Sequence, residues 1–359
     1  MLKLKPSSVD WRSPRTLSLT VSGVALAVLA GMLVLLPVPY ARLSPGPATD
    51  TLGSADGKPL IVIEGTKTYP VTGKLELTTV SITNPDHRMS LIEALTGWFR
   101  SGVAVVPKDT VYDTTKTSAQ IQTENTQEMA LSQKHATAAA LQALHVPGVV
   151  SYVVVAAVTD GTPAAGKLNI GDQIEKIDGT AITSPDEVVT AVRKHKPGEQ
   201  VTFVVKRAGQ ELTQTLTTSK NPDDASIPFV GIRPDRDYTF PFSVKIQLDD
   251  VGGPSAGMMF ALGIIERLTP DAVDGGKIVA GTGTIDDDGT VGKIGGIQMK
   301  IRGAKRSGAT VFLVPADNCR EAVQGAPKGI TLVRVDKLST ALTALEALRN
   351  GNTAAVPHC

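Results

Sequence analysis

Residues 16 to 41 form a run of 26 positions without a charge, and its middle reads VSGVALAVLAGMLVLLPV. As a helix the run reaches ~39 Å at about 1.5 Å per residue, enough to cross a hydrocarbon core of about 30 Å with some tilt. It reads as a transmembrane anchor over 17–40, preceded by a short segment, 1–16. Lys3, Lys5, Arg12 and Arg15 stand before it against Asp10 alone, and only Arg42 follows closely. That bias places the N-terminus in the cytoplasm and everything after Arg42 outside it. The expectation is a single-pass protein of the cell membrane with an extracytoplasmic body. The rival is a cleavable signal peptide, whose apolar region usually spans about 7–15 residues; no clear A-x-A site follows the run.

Beyond the anchor, SPGPATDTLG reads as a turn-rich linker. Short β-like runs follow, LIVIEG at 60–65 and TYPVTGKLELTTVSI at 68–82, each punctuated by Gly, Pro or Asp. MSLIEALTGWF at 89–99 has apolar residues at helical spacing, and the Ala- and Gln-rich stretch 123–144 predicts a long helix. From about His145 to Thr217 the texture changes. SYVVVAAV is a strand, and SPDEVVTAVRKH is a helix with Ser184 as N-cap, Pro185 at the first helical position and Glu187 completing a capping box. EQVTFVVKRAGQELTQTLTT is a hairpin with Ala-Gly at its turn.

Composition narrows the function classes. With 359 residues the chain has room for two or three domains. A net charge of +1 offers no basic field for nucleic acid. Two Cys exclude a disulfide-dense scaffold, and five scattered His leave no metal-ligand pattern. Cys319 and Cys359 would face an oxidising compartment. Because Cys359 ends the polar tail 351–359, which is expected to fray, a free thiol is favoured over a bridge. Gly161 to Lys167 has the outline of a phosphate-binding loop, but Leu168 follows where Mg²⁺ needs Ser or Thr, so no nucleotide is expected. DDDG at 286–289 reads as a solvated hairpin turn rather than a calcium loop. No metal or other cofactor is implied.

The candidate chemistry lies in the last 110 residues. VGGPSAGMMFALGIIERL at 251–268 sets Ser255 at the start of an apolar helix, near unpaired backbone N–H groups able to stabilise an oxyanion. The simpler role for such a serine is an N-cap. No His lies within 50 residues of Ser255, so lysine is the alternative base, if burial lowers its pKa. In a helix over 297–306, Ile297, Ile301 and Ala304 form the apolar stripe. Lys300 borders that stripe, Lys305 lies on its other flank, and Lys293 precedes the Gly-Gly pair. Spacing favours Lys300 modestly over Lys305.

Two resemblances follow from these motifs. The order of elements over 146–220, with the glycine-punctuated run from Gly161 to Ile182, resembles a PDZ domain, which implies capture of an extended peptide beside the capped helix. The groove strand would be Tyr152, Val153, Val154 and Val155, with Val188, Val189 and Val192 on the helix side or in the core. GPSAG at 253–257 with GGIQMK ending at Lys300 resembles the proteolytic domain of Lon proteases. The resemblance implies an α+β fold, Ser255 as nucleophile, Lys300 as general base and Thr282 beside the lysine amine, with Gly253, Pro254, Ala256 and Gly257 supporting. There are departures. The usual acidic residue before GPSAG is Gly252, with Asp249 and Asp250 upstream, and Thr284 replaces a usual glutamate.

The full layout resembles the membrane-anchored PDZ–Lon proteases of Gram-positive bacteria. It implies that 41–145 opens the proteolytic domain, that the PDZ module is inserted into it, and that 221–350 completes it. No ATPase module is read in the chain, so the expected activity is ATP-independent cleavage of peptides, loops or unfolded segments by a serine endopeptidase. Lon-type domains form rings, so a hexamer-like homo-oligomer is among the implications. The alternatives are a non-catalytic PDZ-bearing scaffold with a degenerate proteolytic domain, and a weaker one, a Ser-Lys amidase of small substrates.

Overall fold

The computed structural model describes residues 14–55, 57–248, 251–271, 273 and 275–359. Lys3, Lys5, Asp10, Arg12, Asp249 and Asp250 lie outside the described residues. The chain forms two compact units. One comprises the residues up to Ile61, Thr68–Ala136 and Ile246–Cys359; the other comprises Val62–Lys67 and Thr137–Lys245.

Helix α1, Pro14–Leu35, is apolar over most of its length, and its large apolar side chains from Leu17 to Val34 are exposed. Its 22 residues span ~33 Å, shorter than the uncharged run, because Pro37 and Pro39 cannot donate to a continuing helix. By length and composition it is able to cross a membrane.

The stretch expected to be a linker is instead a strand of the main sheet. Strand β1, Tyr40–Asp50, runs through Pro45, Gly46 and Pro47 by a break in register between Pro45 and Ala48. Proline lacks a donor and tolerates a strand only at such irregularities, so local composition hid a strand that tertiary pairing enforces. Strand β2, Lys74–Ile82, lies antiparallel to β1, as does β3, Ala104–Pro107, on its other side. Between them in sequence comes helix α2, Leu91–Phe99, with a reciprocal capping box of Ser90 and Glu93. Helix α3, Ser118–Ala143, begins five residues before the expected start.

The inserted unit is an antiparallel sheet built on β4, Val150–Val158, β5, Gln173–Ile177, β6, Gln200–Arg207, β7, Gln210–Thr217, and β8, Ile232–Thr239. Its strand order is β7-β6-β5-β4-β8. Helix α4, Pro185–Arg193, closes its core with Val188 and Val192. Ser184 caps α4, but the Glu187 carboxylate accepts from the Thr183 N–H at 2.7 Å, one residue beyond the expected box. Ala208 and Gly209 both take positive φ in the β6–β7 turn, as a tight hairpin requires. Residues 221–245 were expected in the proteolytic region, yet β8 pairs along its whole length with β4, and the unit extends to Lys245. Lys167, in the loop shaped like a phosphate cradle, donates its amine to the Thr215 carbonyl at 2.6 Å, and Leu168 lies in the core.

The chain then returns to the first unit. Helix α5, Gly257–Leu268, is buried from Gly257 to Glu266. Strand β9, Ile278–Gly281, joins β2 in parallel, followed outward by β10, Val311–Pro315, and β11, Thr331–Val335, giving the order β11-β10-β9-β2-β1-β3. Residues 286–289 turn a short hairpin. Helices α6, Ile297–Ser307, α7, Cys319–Gly325, and α8, Leu338–Arg349, complete an α+β fold.

The tail departs from its expected frayed state. Val356 is buried, His358 bridges to Val333, and Cys359 is disulfide-bonded to Cys319. Val356 and the pairing along β11 hold the tail down, which brings the two Cα atoms to 5.0 Å. Sequence position alone could not show that docking.

Candidate active site

Three segments meet at one end of β9. The turn before α5 supplies Ser255, the residue after β9 is Thr282, and the first turns of α6 supply Lys300. Gly253 has φ +83°, a conformation that side chains with a Cβ rarely adopt, and it lets the turn double back. The turn is fastened on both sides. The Gly253 N–H donates to the Asn125 carbonyl at 3.1 Å, and Ser132 Oγ donates to the Pro254 carbonyl at 3.0 Å. The Gly283 N–H donates to the Ser255 carbonyl at 2.9 Å. Asn125 and Ser132, seven apart on α3, share one helix face with Met129 between them. They were legible only as polar positions on a helix.

The N-cap of α5 is Ala256, with no side-chain cap bond, so Ser255 is not consumed in capping. Its Oγ lies 2.7 Å from Lys300 Nζ, which is itself 2.9 Å from Thr282 Oγ1. Thr282 Oγ1 also donates to the Ser255 carbonyl at 2.9 Å. A hydroxyl has one hydrogen. With that hydrogen on the Ser255 carbonyl, Thr282 meets the lysine as an acceptor, and the amine's lone pair can turn to Ser255.

Lys300 is 4% exposed, and burial pushes its amine down from 10.5 to about 8. Burial penalises the charged form. Lys293 is exposed, and Lys305 is spent on the Gly329 carbonyl at 2.7 Å. Of the three candidate lysines, Lys300 is the one whose amine reaches Ser255. Gly303 brings α6 close to β1: a Cβ there would stand 2.9 Å from the Gly46 carbonyl oxygen.

The site opens into a cleft of about 770 Å³ lined by Leu43, Thr78–Ile82, Val106, Val111, Met129 and Gly295–Gly296, with Ser255 and Lys300 in its wall. Strand β9 pairs with β2 only over Lys74–Leu77. From Thr78 onward β2 is paired with β1 on one side and lines the cleft.

The inserted unit corrects the expected groove. Tyr152, Val153, Val154 and Val155 lie in β4, an interior strand whose partner residues in β8 run from Asp237 to Pro234. Strand addition needs an open edge, and β8 holds that position. A groove of about 180 Å³ runs between α4 and the 227–234 segment, lined by Val188, Val189, Val192, Phe229, Ile232 and Pro234. Val188, Val189 and Val192 line it from α4; the expected strand does not, because the chain supplies its own strand beside β4 from residues beyond 220.

A family model described as the PDZ domain matches residues 120–218, and one described as the Lon protease (S16) C-terminal proteolytic domain matches 250–345. Lon protease 2 of Bacillus subtilis (strain 168) is 28% identical over 184 residues, 47% of this chain and 32% of that protein. Lon protease 2 of Herpetosiphon aurantiacus is 39% identical over 93 residues, 25% of this chain and 11% of that one. The crystal structure of the PDZ domain of an SdrC-like protein from Listeria monocytogenes is 29% identical, covering 23% of this chain and 84% of that one, with a TM-score of 0.21. The chain thus spans at most about a third of the length of these curated relatives. It carries a PDZ domain and a proteolytic domain of the Lon type.

Proposed function

We propose that the chain is a membrane-anchored, ATP-independent serine endopeptidase that cuts extracytoplasmic peptides or unfolded segments, with the PDZ unit selecting or gating the substrate. The observation that carries this reading is the 2.7 Å approach of the buried Lys300 amine to Ser255 Oγ, braced by Thr282. Neutral Lys300 takes the Ser255 proton as Oγ attacks the scissile carbonyl. In this reading, backbone amides at the N-terminal, positive end of α5 receive the oxyanion. Protonated Lys300 then gives its proton to the leaving amine, and the same lysine activates the water that releases the acyl group. An extended substrate fits along Thr78–Ile82 as an added strand, which sets its carbonyl before Ser255.

Anchoring rests on α1, and the outward placement on the basic residues that precede it. The Cys319–Cys359 bond supports an oxidising compartment. ATP independence rests on the incomplete phosphate-binding outline at Gly161–Lys167.

The test is side-by-side labelling with a fluorophosphonate probe and cleavage of an unfolded protein by the full chain. Ser255→Ala and Lys300→Ala should each abolish nearly all of both, and the double variant should lose little more. Turnover retained in Ser255→Ala would refute the mechanism. A wild-type chain that neither labels nor cleaves, yet binds peptides, would return the scaffold reading.

A further inference from the structure

Helix α2 is turned inside out. A helix on a soluble body buries its large apolar side chains and exposes polar ones. Here the buried residues are Ala94 and Gly97, while Phe99, Trp98 and Ile92 are 88%, 52% and 42% exposed. Ile92 and Phe99, with the half-buried Leu95 between them, recur at helical spacing, so they form one stripe, with Trp98 beside it. Gly97 fixes this orientation. A Cβ at that position would lie 2.6 Å from Val105 Cγ2, so only glycine allows α2 so close to β3. The indole N–H of Trp98 already donates to the Val105 carbonyl at 3.3 Å, and the ring packs edge-on against Tyr40. Water therefore gains no donor at this ring. A solvent-facing apolar stripe of this kind marks a surface with a partner.

The position of α2 names the partner. Its first residue is tied to the end of α1: the Leu91 N–H donates to the Leu36 carbonyl, and Pro37 bridges to Ser90. The stripe therefore begins where the apolar helix ends. Arg88 and Arg100, both exposed, flank it. Tryptophan at the level of the headgroups, apolar side chains below it and arginines beside lipid phosphates are what a membrane interface accommodates. We propose that α2 is an interfacial helix that lays Ile92, Leu95, Trp98 and Phe99 into the phospholipid surface of the membrane that α1 crosses, seating the catalytic unit on the bilayer. This rests on the reading of α1 as an anchor.

Trp11 and Trp98 are the two tryptophans of the chain, so Trp11→Phe leaves Trp98 as the sole reporter. The full-length variant is placed in phosphatidylcholine–phosphatidylglycerol vesicles, plain or brominated near the headgroup end of the acyl chains. Trp98 emission should shift to the blue in plain vesicles and be mostly lost in brominated ones. Adding Ile92→Glu and Phe99→Glu should restore most of that emission. The anchor is read separately by Leu26→Trp in a Trp11→Phe, Trp98→Phe background. If Leu26→Trp is quenched by brominated lipid while Trp98 is not, the interfacial helix is refuted and the anchor stands. If neither is quenched, both fall. Trp98 shielded from aqueous acrylamide but untouched by brominated lipid would mean that a second copy or another protein covers the stripe, which also overturns the proposal.

Discussion

Burying a lysine to 4% exposure, with no carboxylate paired to it among the described residues, costs stability. An ordinary lysine in the unfolded chain binds its proton up to 10.5, whereas Lys300 releases it at about 8. Below about 8 the folded state therefore bears the full penalty, on the order of 3 kcal/mol at ~1.4 kcal/mol for each tenfold loss of proton affinity. Between about 8 and 10.5 the unfolded chain binds the extra proton, so stability rises with pH. Chemical denaturation should show that rise for the wild type relative to Lys300→Met, and Lys300→Met should be the more stable of the two at neutral pH. Activity follows the same group: kcat/KM should climb through about 8 and level above it. A profile rising only near 10.5 would contradict the burial. Thr282→Val keeps the shape but removes the acceptor for the lysine and the donor to the Ser255 carbonyl. We expect kcat to fall on the order of a hundredfold from lost positioning, with KM little changed. The rising limb should move to lower pH, because an ammonium loses more than an amine when an acceptor is removed. Thr282→Ser should restore both.

At the scale of elements, α6 and α4 show how periodicity becomes function. The stripe Ile297, Ile301 and Ala304 was legible and is buried, and Lys300 is carried inward with it. What spacing could not say is how near α6 lies to β1, which depends on Gly303 meeting the backbone at Gly46. In α4, Val188 and Val192 are core residues that also reach the groove, whereas Val189 is 39% exposed in its wall. Val189→Glu should leave the fold and probe labelling at Ser255 intact, because it touches neither. It should weaken capture of an apolar peptide and slow cleavage of the natural substrate, measured as binding by anisotropy beside labelling. Equal binding by Val189→Glu and wild type would remove the groove between α4 and β8 from the mechanism. The expected strand, Tyr152–Val155, failed as a groove for a reason periodicity cannot show. A run of valines reads the same in an edge strand and an interior one, and β8 supplies the edge from later in the chain.

At the scale of the whole chain, a long-range staple closes the first unit. The Cys319–Cys359 bond encloses a separation of 40 residues, and a loop of that length stabilises by about 3–4 kcal/mol in the chain-entropy account. Reduction, or Cys359→Ser, should lower the midpoint of thermal unfolding and free the tail that covers β11. An unchanged midpoint after complete reduction would show that the tail docks without the bond. Cys319 directly follows Asn318, whose side chain holds both backbone groups of Ile294, just before the glycines that line the cleft. Loss of the staple should thus also loosen the approach to Lys300.

The sequence by itself determined the apolar helix, the α+β class and the two kinds of domain, and it named Ser255, Lys300 and Thr282 as candidates, which the fold brings within hydrogen-bond reach. Each is encoded in contiguous pattern: unbroken apolarity, glycine-punctuated turns, or two specific motifs. Only the tertiary structure decided the rest. It made a strand of the Pro-Gly-Pro stretch, bound the tail by a disulfide, gave residues 221–245 to the inserted unit and set β8 in place of the expected groove strand. Those outcomes depend on pairings between segments far apart in the chain. A strand's neighbours, unlike a helix's, are not written at fixed offsets, so backbone hydrogen bonding and close packing selected them.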